Sequence, residues 1–442
     1  MKSSPRQLSL IFADNEIIPK SKTAAEMDIE PLDATFRDSN RAPLHSWFPY
    51  LEGYSPRFVD RVRLEYLPNA RRIIEPFAGS GTTPIALGQS GVDCAYSEAN
   101  PAMAFVIETK LALLRATKQD RTRISEELLS LDRAIPALMS TTKPDKELAE
   151  TYLAAFGSSR FFEDEALDQV RTLRTIADQI LSTNTMLGNC LTLAILASLI
   201  KTSQLKRAGD LRFKTPKELL TKPPLPIEAV SARLQSQAKD LLNLPGLTGN
   251  AWHACNAAAD LGDQIDDGWD GVITSPPYLN GTNYIRNARL ELWFLRLVNK
   301  KGDLREIRDI VITSGINDVD AQTKWAPTTI GVERTVKELT EHAYDDRIAK
   351  MVGGYFHDMR KVMASLQNRV KVGGMICIDI GDSMYSGIHV ATDDLLVETA
   401  EDLGLRTVDR VHLRKRNSNG GQLLRQQLLV FENLNRTRIV EA

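Results

Sequence analysis

Arg71-Arg72-Ile73-Ile74-Glu75-Pro76-Phe77-Ala78-Gly79-Ser80-Gly81-Thr82 is the stretch on which the reading of the fold turns. Arg71 to Phe77 reads as a short buried strand, Ala78 to Gly81 as a tight turn, and Thr82 to Ser90 as a helix closed by Gly91. Val92 to Ser97 supplies a second strand. Strand, glycine turn, helix, strand is the opening of a parallel α/β sheet.

Two glycines at such a turn let a ligand approach the backbone closely. Glu98 follows the second strand, seventeen residues after Gly81, where an acid grips a ribose diol in a doubly wound nucleotide site. The third glycine of a dinucleotide fingerprint and a phosphate-binding base are both missing, and Phe77 brings an aromatic ring to the turn. An adenosine without pyrophosphate, carrying a sulfonium beside aromatic faces, suits these residues better than a dinucleotide. S-adenosylmethionine is the ligand this pattern points to. The plainer alternative is a glycine turn that serves only helix–sheet packing, with Glu98 a solvated loop acid. Past the presumed third strand, Asn256 or Asp260 is placed to pair with an adenine edge, and either also suits capping of the next turn.

Upstream of the turn, residues 1–40 are polar and without sustained periodicity beyond Leu8 to Phe12, and read as a loosely ordered arm. Trp47, Phe48, Tyr50 and Tyr54 concentrate aromatic rings before an amphipathic stretch from Phe58 to Leu67. Downstream, residues 110–249 change to long helical periodicity with almost no strand signal, a helical insertion into the sheet topology. Its later part is basic: Lys201, Lys206, Arg207, Arg212, Lys214, Lys217 and Lys222 face only Asp210 and Glu218. Such a run is a solvated loop or a phosphate-contacting surface.

Strand character returns at Trp252 to Cys255 and at Gly271 to Thr274. Asn287 to Leu297 reads as helix, Lys300 to Asp346 as a polar stretch of irregular period, and Tyr355 to Val370 as amphipathic helix. Met375 to Ile380 is a buried strand and Asp393 to Leu403 a helix. Thr407 to Leu413 and Gln427 to Phe431 are the last strands, joined by a basic loop that carries Arg414, Lys415 and Arg416. The chain thus divides into an arm (1–40), a cofactor half (41–109), the helical insertion (110–249) and a catalytic half (250–442).

Composition sets limits on these readings. At 442 residues the chain exceeds what a single core usually supports. A net charge of −2 argues against a uniformly basic nucleic-acid binder, so phosphate contacts must come from local patches. Cys94, Cys190, Cys255 and Cys377 lie far apart, which gives neither a disulfide framework nor a zinc site. The six histidines form no ligand set, and no metal is expected. The start lacks an apolar signal region, and no long uncharged apolar run is visible. A cytoplasmic, reduced protein without a membrane segment is expected.

Ile273-Thr274-Ser275-Pro276-Pro277-Tyr278 carries the chemistry. An apolar strand end runs into a hydroxyl, two prolines and an aromatic ring. Ser275 and Pro276 each precede a proline and are pushed toward extended backbone, and neither proline donates a hydrogen bond. The segment presents acceptors without competing donors. A serine hydroxyl and a prolyl carbonyl accept from an exocyclic amino group, and Tyr278 offers a flat face to a base.

Together, Glu75-Pro76-Phe77-Ala78-Gly79-Ser80-Gly81-Thr82-Thr83, Ser97-Glu98-Ala99-Asn100-Pro101 and Thr274-Ser275-Pro276-Pro277-Tyr278 resemble the amino-group DNA methyltransferases, in particular the N4-cytosine branch. Tyr54-Ser55-Pro56-Arg57-Phe58 resembles the segment those enzymes place over the methionine moiety. The likeness covers about residues 45–109 and 250–432. It implies an α/β fold: a doubly wound, mostly parallel, seven-stranded Rossmann-like sheet with a large helical insertion. It further implies that Tyr54, Phe77, Gly79, Gly81 and Thr82 line the cofactor site, that Glu98 holds the ribose, and that Ser275, Pro276, Pro277 and Tyr278 form the catalytic mouth. An aspartate is usual at the adenine position, where this chain offers Asn256 or Asp260. No target-recognition segment is obvious.

On that reading the enzyme methylates cytosine N4 in double-stranded DNA, with the target base flipped into the pocket, and partners a cognate restriction endonuclease in a defence system. Lys206, Arg207 and Arg212 of the insertion, and Arg414, Lys415 and Arg416 near the C-terminus, are the expected backbone contacts. Adenine N6 is the runner-up target. A cofactor-binding recognition subunit without turnover is the rival of a different class.

Overall fold

A computed structural model describes residues 22–37, 39, 42–50, 53–279, 283–319, 323, 325–417 and 421–434. Seven strands form the central sheet: β1 (Arg72–Glu75), β2 (Asp93–Ser97), β3 (Ala251–Cys255), β4 (Trp269–Thr274), β5 (Val370–Gly381), β6 (Leu405–Asn417) and β7 (Leu423–Asn433). Their order across the sheet is 3-2-1-4-5-7-6. β1 pairs in parallel with β2 and β4, β2 with β3, and β4 with β5. Only β7 runs against its neighbours, β5 and β6. This is the doubly wound, mostly parallel Rossmann-like sheet expected of the sequence. From β1 the chain winds one way into β2 and β3 and the other way into β4 and β5, and ligands bind outside the carboxyl ends of strands at such a switch point.

The alternation of side chains along each strand divides the core in two. Ile73, Cys94, Ile273 and Cys377 face one layer of helices, while Ile74, Ala95, Val272, Ile376 and Ile378 face the other. The insertion supplies most of the first layer, through helices Lys118–Thr141, Asp164–Leu181, Thr185–Thr202 and Pro226–Leu241. Thr185–Thr202 is the one helix among the described residues long and apolar enough to cross a membrane. It is instead a core helix, buried from Cys190 to Leu199 and packed between Asp164–Leu181 and Pro226–Leu241. The second layer holds Ile330–His342, Arg347–Gln367 and Thr392–Asp402.

Several local readings need correction. Among its described residues, the polar stretch of irregular period contains two α-helices, Asp303–Arg308 and Ile330–His342, and a 3-10 turn at Ile316–Asp318. The basic run of the insertion is a two-stranded hairpin, Leu205–Ala208 with Asp210–Phe213, turned by Gly209 at φ 79°. Residues 22–37, expected within a loose arm, are packed: Met27, Ile29, Ala34 and Phe36 are buried, and Asp33 accepts from Ser55 Oγ at 3.2 Å and Arg57 Nη1 at 2.8 Å. Leu8 to Phe12 lies outside the described residues. Finally, Arg414, Lys415 and Arg416 belong to strand β6 and not to the loop beyond it.

Candidate active site

At the carboxyl ends of β1 and β4 lies a cavity of about 560 Å³. Phe77, Gly79, Thr82, Glu98 and Asn256 lie on its walls together with Ser275, Pro276, Pro277 and Tyr278. The two motifs that sequence reading kept 190-odd residues apart therefore open on one space.

On the β1 side the turn is built by backbone geometry. Gly79 and Gly81 adopt φ of 55° and 90°, the left-handed region where a side chain is costly. A Cβ on Gly79 would stand 3.0 Å from the Tyr50 ring. Gly81 is not in the cavity wall; it caps helix Thr82–Gln89, and a Cβ there would meet Ile107 at 3.0 Å. In this structure Gly81 shapes the turn and the helix start. Beneath the turn Glu75 is buried, accepts from Tyr54 Oη at 2.9 Å and from Phe77 N at 2.8 Å, and also bonds Thr274 Oγ1 of β4. Tyr54 Oη shares a further 2.6 Å bond with Thr83 Oγ1. Tyr54 thus reaches the cavity wall while its phenol is held by the turn.

Glu98 accepts from Gly79 N at 2.6 Å through one oxygen and from Asn100 N at 2.8 Å through the other. Burial pushes its carboxyl up to about 7, against the pull of those two N–H donors. Asn100 caps helix Pro101–Arg115 by accepting from Ala102 N, so Pro101 at the first helical position costs no hydrogen bond. Both Asn256 and Asp260 are exposed and both line the cavity. Asn256 follows β3 directly.

On the β4 side the structure adds a residue that sequence reading missed. Asp379 of β5 is buried, with 2% of its surface exposed, and lies on the cavity wall. Its Oδ2 accepts from Ser275 Oγ at 3.3 Å and from Tyr278 Oη at 3.0 Å. Burial pushes its carboxyl up to about 6, opposed by hydrogen bonds from Gln426, Tyr278 and Ser275. A lone acid in the apolar run Ile376-Cys377-Ile378-Asp379-Ile380 was the signal that could have found it, since a buried carboxylate needs donors.

The expected phosphate contacts fare unevenly. Arg207 lies on the cavity wall, but its guanidinium donates to Pro49 O at 2.8 Å and pairs with buried Glu291 at 2.5 Å. Lys206 and Arg212 both pair with Glu218, which also accepts from Thr215 in a capping box. Arg207 thus ties the hairpin to Pro49 and Glu291, while Lys206 and Arg212 tie it to the short helix Pro216–Leu219 that follows. Along β6 the two-residue period puts Arg414 and Arg416 on the cavity side, while Lys415 points to solvent. The Arg416 guanidinium lies 5.1 Å from the Tyr278 ring centroid and donates to Asp382 O at 2.6 Å. No group of three or more metal-ligating side chains occurs among the described residues.

No family model matches the chain. The type II methyltransferase M.BsoBI of Geobacillus stearothermophilus is 24% identical over 438 residues, covering 88% of this chain and 84% of that protein. The type II methyltransferase M.AvaI of Nostoc sp. strain PCC 7120 is 22% identical over 422 residues, with the same shares. Among solved structures, the rRNA methyltransferase aviRa from Streptomyces viridochromogenes aligns over 87% of each chain at 9% identity, with a TM-score of 0.28, too low to bear on the fold. Over most of its length, then, the chain is similar to type II methyltransferases.

Proposed function

We propose that this protein is an S-adenosylmethionine-dependent DNA methyltransferase that modifies the exocyclic N4 amine of cytosine, working in the cytoplasm as the modification enzyme beside a cognate restriction endonuclease. The observation that carries the reading is the single cavity shared by Phe77–Ser80, Thr82, Glu98 and Ser275–Tyr278, with Asp379 on its wall. Similarity to type II methyltransferases supports DNA as the substrate.

The residues fit the cofactor. Gly79 carries no Cβ, so the Tyr50 ring packs directly on the backbone of the turn at the cavity wall. Glu98 offers a carboxylate to ribose hydroxyls, Asn256 an amide to adenine, and Phe77 and Tyr54 aromatic surface to the methionine end. Bound S-adenosylmethionine supplies the electrophilic methyl group.

The amine lone pair of cytosine is delocalised into the ring, and the amine gains nucleophilicity when its hydrogens are drawn toward acceptors. Ser275 Oγ donates its own hydrogen to Asp379 and so turns lone pairs to the cavity. The Pro276 carbonyl provides a second acceptor with no competing N–H. When the nitrogen gains its methyl group it must lose a proton. Ser275 Oγ takes that proton as it passes its own to Asp379 Oδ2, a carboxylate with an affinity for protons raised by burial. No covalent adduct with the base is needed. The Tyr278 ring, backed by Arg416, offers the flipped base a stacking surface that offsets part of the few kcal/mol of extrusion. Arg414 and Arg416 line the same cavity and offer cations to the backbone of the extruded nucleotide.

Transfer of tritium from labelled S-adenosylmethionine to duplex DNA tests the reading. Incorporation by the wild type that is abolished in Ser275→Ala, with cofactor binding retained, is expected. Cofactor binding without incorporation would favour a recognition subunit instead.

A further inference from the structure

Gln426 of β7 is 1% exposed, and its amide is spent entirely on the catalytic corner. Its Nε2 donates to Asp379 Oδ1 at 2.8 Å and Oδ2 at 3.0 Å, and to the Ala34 carbonyl at 3.2 Å. Its Oε1 accepts from Arg414 Nε at 2.7 Å. A guanidinium can only donate, so the Arg414 bond dictates which way round the amide sits: oxygen toward β6, nitrogen toward Asp379. The sheet register enforces this arrangement. Gln426 stands opposite Arg414 on β6 and opposite Gly381 on β5, two residues along from Asp379. Gly381 leaves the gap that the Arg416 guanidinium and the Tyr278 ring fill; a Cβ there would stand 2.3 Å from Arg416 Nη2 and 3.0 Å from the Tyr278 ring.

We propose that Gln426 is a positioning residue for methyl transfer: its amide, oriented by Arg414, holds both oxygens of Asp379 so that Oδ2 faces Ser275 and Tyr278. This role rests on the reading of Ser275 and Asp379 given above. A carboxylate near a strand end can otherwise rotate about its Cβ–Cγ bond, and any rotation short of the half-turn that exchanges its equivalent oxygens would take the acceptor away from the serine. Locking it keeps the proton acceptor in line with Ser275 Oγ. The donor also favours the ionised acid, the form that takes up the proton. The other charged or titratable groups around Asp379 are Tyr278 at the end of β4 and Arg414 and Arg416 on β6, with Tyr54 on the β1 side. All of these remain when Gln426 alone is changed.

The test is single-turnover methyl transfer to duplex DNA by the full chain, from about pH 5 to 9, for wild type, Gln426→Leu and the near-isosteric Gln426→Glu. Loss of the donor is expected to lower the plateau rate about tenfold or more. It should also move the acid limb of the pH profile upward by at least about half a unit, and farther in Gln426→Glu, where a second carboxylate faces the first. Cofactor affinity should stay within about twofold of wild type. Arg414→Met, which frees the amide to flip and also removes a cation that holds the Asp379 carboxyl down, should shift the limb in the same direction. If Gln426→Leu does not fold, the profile of Gln426→Glu decides. An acid limb that stays in place in the folded Gln426 variants, whatever their rates, overturns the positioning role while leaving the methyltransferase reading intact. A wild type that transfers no methyl group to DNA overturns both.

Discussion

Ser275 Oγ, at the end of β4, donates to Oδ2 of Asp379 on the neighbouring strand β5 across 3.3 Å, and this one bond turns a hydroxyl into an acceptor that faces the cavity. Asp379→Asn keeps the shape but removes the proton acceptor. Methyl transfer should fall by about 10²- to 10⁴-fold in single-turnover assays, with cofactor affinity unchanged. In the wild type the acid must be ionised to act, and burial has pushed it up to about 6. The rate should therefore rise with pH through about 6 and level off above it. The asparagine variant should lose that limb.

If Glu98 holds the ribose as proposed, cofactor affinity should depend on pH. Its carboxyl is pushed up to about 7, and only the charged form is a full acceptor for ribose hydroxyls. Titration calorimetry should show the dissociation constant for S-adenosylmethionine rising as pH falls below about 7. Glu98→Ala should weaken binding by about 1.5–3 kcal/mol and flatten the pH dependence.

At Gly79 the backbone sits at φ 55°, and a Cβ would stand 3.0 Å from the Tyr50 ring. Gly79→Ala should cost about 1–2 kcal/mol, from strain in the left-handed region before any contact is counted. The loss should appear in thermal unfolding and again as weaker cofactor binding, because the Gly79 N–H to Glu98 bond belongs to the same turn.

Lys110 is wholly buried beneath that turn, and its Nζ donates to Ser80 O at 2.9 Å. Burial lowers its ammonium to about 7. Between about pH 7 and the ordinary lysine value the unfolded chain binds a proton that the folded chain does not, so stability from this group rises with pH. The stability difference between wild type and Lys110→Met, measured by urea denaturation, should move in favour of wild type by about 2 kcal/mol from pH 7 to 9. A difference independent of pH would mean that Lys110 stays charged in the folded protein.

Much of this site was legible in the sequence because it is local. The glycine turn, Glu98 and Ser275-Pro276-Pro277-Tyr278 follow from short-range backbone rules, and the sheet joins them by ending β1 and β4 side by side. Asp379 and Gln426 were not legible, because their meeting depends on the antiparallel register of β5 and β7 across 47 residues of chain. The pairing within the basic hairpin was hidden for a related reason. Charge counting saw Lys206 and Arg212 as an excess, but one residue, Glu218, pairs with both, and Arg207 is consumed by Glu291, 84 residues away. The ordering of residues 22–37 likewise depends on distant partners, as when Gln426 donates to Ala34 O. No local period in that segment announces it.

Nucleoside analysis of duplex DNA methylated by the purified protein tests the central claim most directly. After digestion, label from S-adenosylmethionine should travel with N4-methylcytosine and be absent from DNA treated with Ser275→Ala. Label in N6-methyladenine would keep the cavity chemistry but contradict the assigned base, and no labelled nucleoside at all would contradict the enzyme itself.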